Sequence, residues 1–365
     1  MSEEGGMRVL YQRFVRLARN SWSPKVLLWI DIFLAKKLFV VSIPSNFNYW
    51  RSKKSITKLL KDHKPLTIVD VGSRGAPPPE LQQIRPFARY IGFDASDTAQ
   101  DHSLSHLKGW QDYSVIQAFI GKQSSSIEFK NYTDGGLSSA LEPNGEYVRE
   151  FAPSTSVESR EFMPTRSLAE VLGSKMREID FLKLDTQGTE LDILTTDGVT
   201  EVPLLEVETE FIEVYEGQSL FGEVFEHLIS SGYRLLWLSR HFGSPSGTQY
   251  FGRGSLVFGE ALFGFSTKKA HDLDDEKFRK YVTLLSVYGH ADFAEFLVKT
   301  KIGLAIEVQM NLREVIQLFS QGERTKGHFK MKFSSALEKV QFLSGFSRGR
   351  HNRFDSDSDR SIFFR

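Results

Sequence analysis

FLKLDTQGTELDIL, residues 181–194, is the stretch whose reading decides the fold. The apolar run from Phe181 to Leu184 closes on an acid, the pattern of a buried parallel strand with Asp185 at its carboxyl end. Gly188 then allows a turn. From Thr189 the apolar positions Leu191, Ile193 and Leu194 suit a helix packed back on the sheet, with Glu190 and Asp192 as dipole-compatible acids in its first turn. Open α/β sheets bind ligands outside the carboxyl ends of their strands, which puts Asp185 where chemistry is done.

The same alternation of strand and helix runs outward in both directions. Upstream, LTIVDVGSRGAPPPEL reads as a strand and a Gly-rich turn, and RYIGFDAS as a second strand ending at Asp94, 24 residues after Asp70. VIQAFIG at 115–121 is a third candidate strand, Ser124 to Phe129 follows it, and residues 133–155 read as a loop rich in Gly, Ser and Pro. SLAEVLGSKM gives a helix just before the pivotal strand. Downstream, PLLEVETEF at 203–211 reads as a strand, SLFGEVFEHLISSG as a helix closed by Gly232, and YRLLWLSR as a further strand. SLVFGEALFGF at 255–265 either finishes the sheet or forms a loop, and beyond Lys268 the pattern is helical with breaks at Gly289 and Gly303. Strands spaced by helices in this way predict a mostly parallel α/β sheet.

A chain of 365 residues can bury a large core, and the absence of cysteine removes disulfides, cysteine-ligated metals and thiol nucleophiles. It also fits a reducing, cytoplasmic setting. The zero net charge conceals an asymmetry, with the first 64 residues at +9, the last 45 at +5 and the centre at −14. An acidic centre argues against a nucleic-acid groove across the middle of the molecule. Residues 7–19 form a basic amphipathic pattern that suits either packing on the protein itself or peripheral contact with an anionic membrane. Lys25 to Ile43 is apolar, but Asp31, Lys36 and Lys37 interrupt it short of a spanning helix, and no signal-peptide order is present at the N-terminus.

Asp70, Gly72 and Gly75 in VDVGSRG read as a turn built for close approach of backbone to a ligand, or as a plain βα turn. The sequence is not the GxGxxG dinucleotide fingerprint, and no acid–base His or Tyr/Lys pair for hydride transfer is visible, which disfavours an NAD oxidoreductase. Asp94 is placed to accept hydrogen bonds from ribose hydroxyls. Glu206, Glu208 and Glu210 alternate along one strand and share a face, where they either orient an acceptor hydroxyl, hold a divalent metal together with Asp185, or are simply solvated. We expect no metal. His241 and His290 are lone histidines without a motif, and the 30 phenylalanines are spread as core residues.

TIVDVGSRG, YIGFDAS, PTRSLAEVL and, above all, DFLKLDTQGTELDIL resemble the FkbM family of class I S-adenosylmethionine-dependent methyltransferases. LLEVETEFIEVYEGQSLFGEVFEHLISSGYRLL adds to the likeness, which spans about residues 66–240. The resemblance implies a Rossmann-like, mostly parallel sheet of about seven strands and S-adenosylmethionine as methyl donor. It also implies O-methylation of a sugar hydroxyl in a glycan, polysaccharide or glycolipid. Asp70 and Gly72 would line the methionine part, with Ser73, Arg74 and Gly75 in the same cofactor loop. Asp94, with Ala95 beside it, would take the ribose and Ala118 the adenine. Asp185 would face the methyl group, with Gln187 among the cofactor contacts and Glu208 as its catalytic companion. SRGAP departs from the family's usual loop, which motivates an alternative: a catalytically silent Rossmann-like scaffold of a glycan-assembly system. The expected organisation is a basic N-terminal extension over 1–63, the methyltransferase domain over 64–268, a helical region over 269–345 and a mobile tail over 346–365.

Overall fold

The computed structural model describes residues 64–73, 77–95, 107–133, 135–248 and 254–320. The expected N-terminal helix at 7–19, Arg74 and Gly75 of the cofactor loop, and the tail at 346–365 lie outside the described residues.

The first strands are β1 (Leu66–Val71), β2 (Ala88–Asp94) and β3 (Asp112–Gln117), followed by β4 (Phe119–Ile120), β5 (Ser125–Tyr132) and β6 (Val157–Arg166). Then come β7 (Phe181–Leu184), β8 (Leu204–Glu210), β9 (Tyr233–Leu238), β10 (His241–Gly243) and β11 (Ser255–Phe265). The main sheet runs β3-β2-β1-β7-β8-β11, with β9 and β10 both on the outer edge of β11. The pairs from β3 through to β8 are parallel, whereas β11 is antiparallel to β8, β9 and β10. Its first five strands follow the Rossmann order 3-2-1-4-5, and the last strand in the chain slots in antiparallel beside the fifth. This is the mostly parallel, Rossmann-like sheet that the sequence led us to expect. The order reverses between β1 and β7, so the carboxyl ends of these two strands flank the crevice where such sheets bind ligands.

The strands form where the sequence is apolar because both faces are covered. Every residue of β1 is buried, as are Phe181, Leu182 and Leu184 of β7. Helix α1 (Gly145–Phe151) follows β5, α2 (Leu168–Leu172) follows β6, and α3 (Glu190–Leu194) follows β7. Helix α4 (Phe221–Ser230) precedes β9, and α5 (Thr267–His271), α6 (Asp275–Val287) and α7 (Ala291–Thr300) follow β11. Residues 306–320 are helical as well. Ser167 and Glu170 close a capping box on α2, and Asp274 caps α6, as a hydroxyl or carboxylate does for the unpaired amides of a first turn. Among the described residues no helix is long and apolar enough to cross a membrane.

Two details differ from the expectation. Residues 115–121 do not make one strand, because the chain leaves the β2 ladder at Ala118, whose amide bonds to the Asp94 carbonyl at 2.9 Å. Phe119–Ile120 then pair with the end of β6 in a separate small sheet ordered β4-β6-β5. The expected loop at 133–155 contains α1 and is followed by β6, a strand whose sequence VESREFMPTR lacks an apolar face. Polar pairs hold its ribbon with β5 instead: Arg160 reaches Glu128 at 2.8 Å and Glu142 at 2.6 Å.

The helices after Lys268 share the sheet's core rather than standing apart. Phe278, Tyr281 and Leu285 of α6 are buried with Phe181 and Phe265, and Tyr288 stacks on Phe181 at 5.3 Å. At the amino end of the sheet Asp180, 1% exposed, accepts from the Thr67 amide at 2.8 Å. It also pairs with Lys277 at 2.8 Å and Lys280 at 3.0 Å. Removing one partner of a buried ion pair leaves the other charge uncompensated. Asp180→Asn, which keeps only the acceptor for Thr67, is therefore expected to cost about 3–5 kcal/mol in urea denaturation. A cost below about 0.5 kcal/mol would mean that α6 is not anchored here.

Candidate active site

Two turns meet at the switch point. Gly72 continues β1 with φ +86°, and its amide and that of Ser73 both donate to the Phe93 carbonyl, at 2.8 and 2.9 Å. On the neighbouring strand the Asp185 amide donates to the Val71 carbonyl at 3.0 Å. The turns are so close that a Cβ on Gly72 would stand 1.8 Å from the Asp185 carbonyl oxygen. Glycine serves here for its positive φ and for its missing side chain. Glu190 ties down the second turn: one carboxyl oxygen accepts from the Thr186 amide at 2.7 Å and hydroxyl at 3.0 Å, and the other from the Gly188 amide at 3.0 Å. The sequence suggested only a dipole-compatible acid at this position. Its role in the turn depends on the side chain folding back, which spacing does not reveal.

The next layer is electrostatic. Asp70, Lys183 and Glu206 sit in register on three adjacent parallel strands. Lys183 pairs with Asp185 at 2.7 Å. Burial works against the Lys183 charge, but Asp185, Asp70 and Glu206 around it outweigh that and raise its pKa. Burial pushes the Asp185 carboxyl up, and Lys183 together with hydrogen bonds from Glu208 and Gln187 more than reverses this, holding Asp185 below the usual carboxylate range. Glu208 goes the other way, raised well above its ordinary value by burial and by the charge of Asp185. The two carboxyls are thus coupled, with the ionised form favoured on Asp185 and the protonated form on Glu208. Burial likewise raises Asp70 and Glu190, and pushes Glu210 to about 9.

The structure brings the remaining expected residues to the same crevice in two groups. Asp94 ends β2, Ala95 follows it, and the Gln117 amide reaches the Ala95 carbonyl at 3.5 Å beside Ala118. Asp70 is 3% exposed beneath the Gly72 turn, with one oxygen held by the Tyr90 hydroxyl at 2.7 Å and Oδ1 without a hydrogen-bond partner among the described residues. Ser73 lies against Gly92, where a Cβ would come within 2.5 Å of its hydroxyl. A glycine cradle, an orphaned buried carboxylate oxygen and an acid at the end of the second strand fit a nucleoside-bearing, cationic cofactor. His241 stacks on Phe258 at 4.5 Å and His290 stands at the N-cap position of α7 without a side-chain capping bond, each away from this constellation in the contacts it makes. Among the described residues no group of three or more His, Cys, Asp or Glu side chains is arranged to hold a metal ion.

The segment between β5 and β6 forms a wall that sequence reasoning missed. Leu141 packs against Gly188, the Asn144 amide donates to the Val214 carbonyl at 2.9 Å, and the Tyr215 hydroxyl donates to the Leu137 carbonyl at 2.9 Å. Val214, Tyr215 and Val257 make a small second core with Leu141, Tyr147 and Phe151 from the segment. Its composition of Gly, Ser and Pro reads as loop because its order comes from contacts distant in sequence.

Among solved structures, precorrin-6y C5,15-methyltransferase from Geobacter metallireducens is similar at 12% identity over 58% of this chain and 86% of that one, TM-score 0.27. Magnesium protoporphyrin IX methyltransferase from Synechocystis, with bound SAM, is similar at 12% identity over 60% and 81%, TM-score 0.28. The N-methyltransferase NodS from Bradyrhizobium japonicum is similar at 12% identity over 61% and 98%, TM-score 0.26. No curated protein sequence matches the chain. The strand order identifies the fold independently of these likenesses. The family model described as the methyltransferase FkbM domain matches residues 90–235, a span that contains Asp94, Asp185, Gln187 and Glu208.

Proposed function

We propose that the protein transfers a methyl group from S-adenosylmethionine to a hydroxyl of a sugar in a glycan, polysaccharide or glycolipid. The observation that carries this reading is the Asp185–Glu208 carboxyl pair, set at the strand ends beside the Gly72 turn. Gly72 and Ser73 would line the methionine end and Asp94 the ribose. S-adenosylmethionine, when bound, supplies an electrophilic methyl on a sulfonium. Transfer then demands in-line positioning and a base for a weakly acidic hydroxyl. Asp185, kept ionised by Lys183, would accept a hydrogen bond from the acceptor hydroxyl and orient its oxygen. Glu208, once ionised, would be the stronger base, so the rate should rise with pH through a value above the usual carboxylate range.

The test begins with calorimetric titration by S-adenosylhomocysteine. Wild-type protein should bind it, and Asp94→Ala should bind at least about tenfold more weakly through loss of hydrogen bonds from the ribose hydroxyls to an ionised group. Equal binding by both would remove Asp94 from the site. Binding in the wild type without methyl transfer to any neutral glycan or glycolipid pool would support the silent-scaffold alternative and overturn the enzymatic reading.

A further inference from the structure

Among the described residues Gln187 alone, apart from glycines, has a positive φ, at +58°. A non-glycine residue pays for that conformation in strain, and such strain persists where surrounding contacts impose it. Here every polar group of the side chain is engaged. The amide nitrogen donates to Asp185 Oδ1 at 3.0 Å and to Glu208 Oε2 at 2.5 Å, while its oxygen, at 3.0 Å, shares the single Tyr215 hydroxyl proton with the Leu137 carbonyl at 2.9 Å. The backbone carbonyl accepts from the fully buried Ser139 hydroxyl at 2.7 Å. Two hydrogens directed at two carboxyls and one oxygen directed at a hydroxyl leave a single sensible amide orientation. A glutamate at this position would oppose acceptor to acceptor.

We propose that Gln187 is a positioning residue: held by Tyr215 and Ser139, its carboxamide sets the separation and orientation of the Asp185 and Glu208 carboxyls. The wall formed by residues 135–156 is thereby joined to the pair, since it supplies Ser139 and the Leu137 carbonyl that shares the Tyr215 hydroxyl proton. The functional side of this inference rests on the proposed methyl transfer; its structural side does not. Lys183 and Asp70 face the pair from the neighbouring strands, Glu206 and Glu210 from β8, and Glu190 from α3. Glu260 of β11 stands opposite Glu208, and the Tyr215 hydroxyl lies behind Gln187. None of these is altered in the variants below except Tyr215.

The test is a 13C NMR titration of the Asp185 and Glu208 carboxyls, assigned with Asp185→Asn and Glu208→Gln, in wild type, Gln187→Gly and Tyr215→Phe. Glycine tolerates the backbone conformation, so a purely conformational role would leave the titration of Gln187→Gly like that of wild type, and that result would overturn the proposal. The positioning role predicts that the lower midpoint rises by about one pH unit, the size of one charge-assisted hydrogen bond, and by less in Tyr215→Phe. The turnover rate should fall about tenfold in Gln187→Gly. Absence of methyl transfer in the wild type would refute the proposed function yet leave the titration to decide the role of Gln187.

Discussion

Gly72→Ala is expected to abolish the native fold or to cost at least about 4 kcal/mol, among the largest effects available to a single methyl group. Two penalties combine. A residue with a side chain loses about 1–2 kcal/mol in the left-handed region, and the new carbon would fall 1.8 Å from the Asp185 carbonyl oxygen. That obstacle is backbone, so no rotamer change relieves it. The carboxyl ends of β1 and β7 would have to part, breaking the bond from the Asp185 amide to Val71 and displacing the Asp185 side chain from Lys183. Soluble yield and thermal unfolding followed by circular dichroism would measure this. A variant that melts within a few degrees of wild type would show that the two turns are less tightly joined than the structure has them.

Lys183→Met should be nearly as severe. Methionine matches the stem of lysine, so packing is largely kept while the cation among Asp70, Asp185 and Glu206 is lost. Breaking a buried pair by removing one partner costs about 3–5 kcal/mol. The sign of the pH dependence separates this cause from lost packing. Asp185 is depressed in the folded state, so the stability it contributes through Lys183 is present above its unfolded pKa and is lost as pH falls through its folded value. The deficit of the variant relative to wild type should therefore be large from pH 5 to pH 8 and shrink only as pH falls below the ordinary carboxylate range, through the depressed folded value of Asp185. A deficit that is constant with pH would point to packing.

The raised acids impose the opposite slope on the wild type itself. Glu210, pushed from 4.5 to about 9, contributes stability that is fully present below its unfolded value and fades as pH rises through about 9. Glu208, Glu190 and Asp70 add in the same direction. Urea denaturation across pH 5 to 9 should show wild-type stability declining, and Glu210→Gln should flatten the decline.

Much of the scaffold was legible in advance. LTIVDV, RYIGFD, FLKL and LLEVETE read as strands because a parallel sheet covered on both faces requires short apolar runs. Glycines at 72 and 188 marked the turns because few other residues adopt their φ. SLVFGEALFGF was ambiguous between strand and loop, since nothing local distinguishes an antiparallel strand inserted between two parallel neighbours from a buried apolar segment. β6 escaped notice for the reverse reason: its charged and exposed side chains carry no alternation, and pairing with β5 and β4 defines it.

The amino-acid sequence by itself determined the α/β class, the carboxyl-end positions of Asp70, Asp94 and Asp185, and the turn at Gln187–Gly188, because these follow from hydrophobic periodicity and backbone sterics within a dozen residues. Only the tertiary structure decided that Lys183 is enclosed by three acids, that the Glu208 and Asp185 carboxyls are pushed in opposite directions, that Glu190 straps the turn, and that Ser139 and Tyr215 hold Gln187. Each of these is a contact between side chains, most of them from separate strands and loops. Its energy depends on distance and on desolvation after the sheet has formed, and neither quantity exists along the chain.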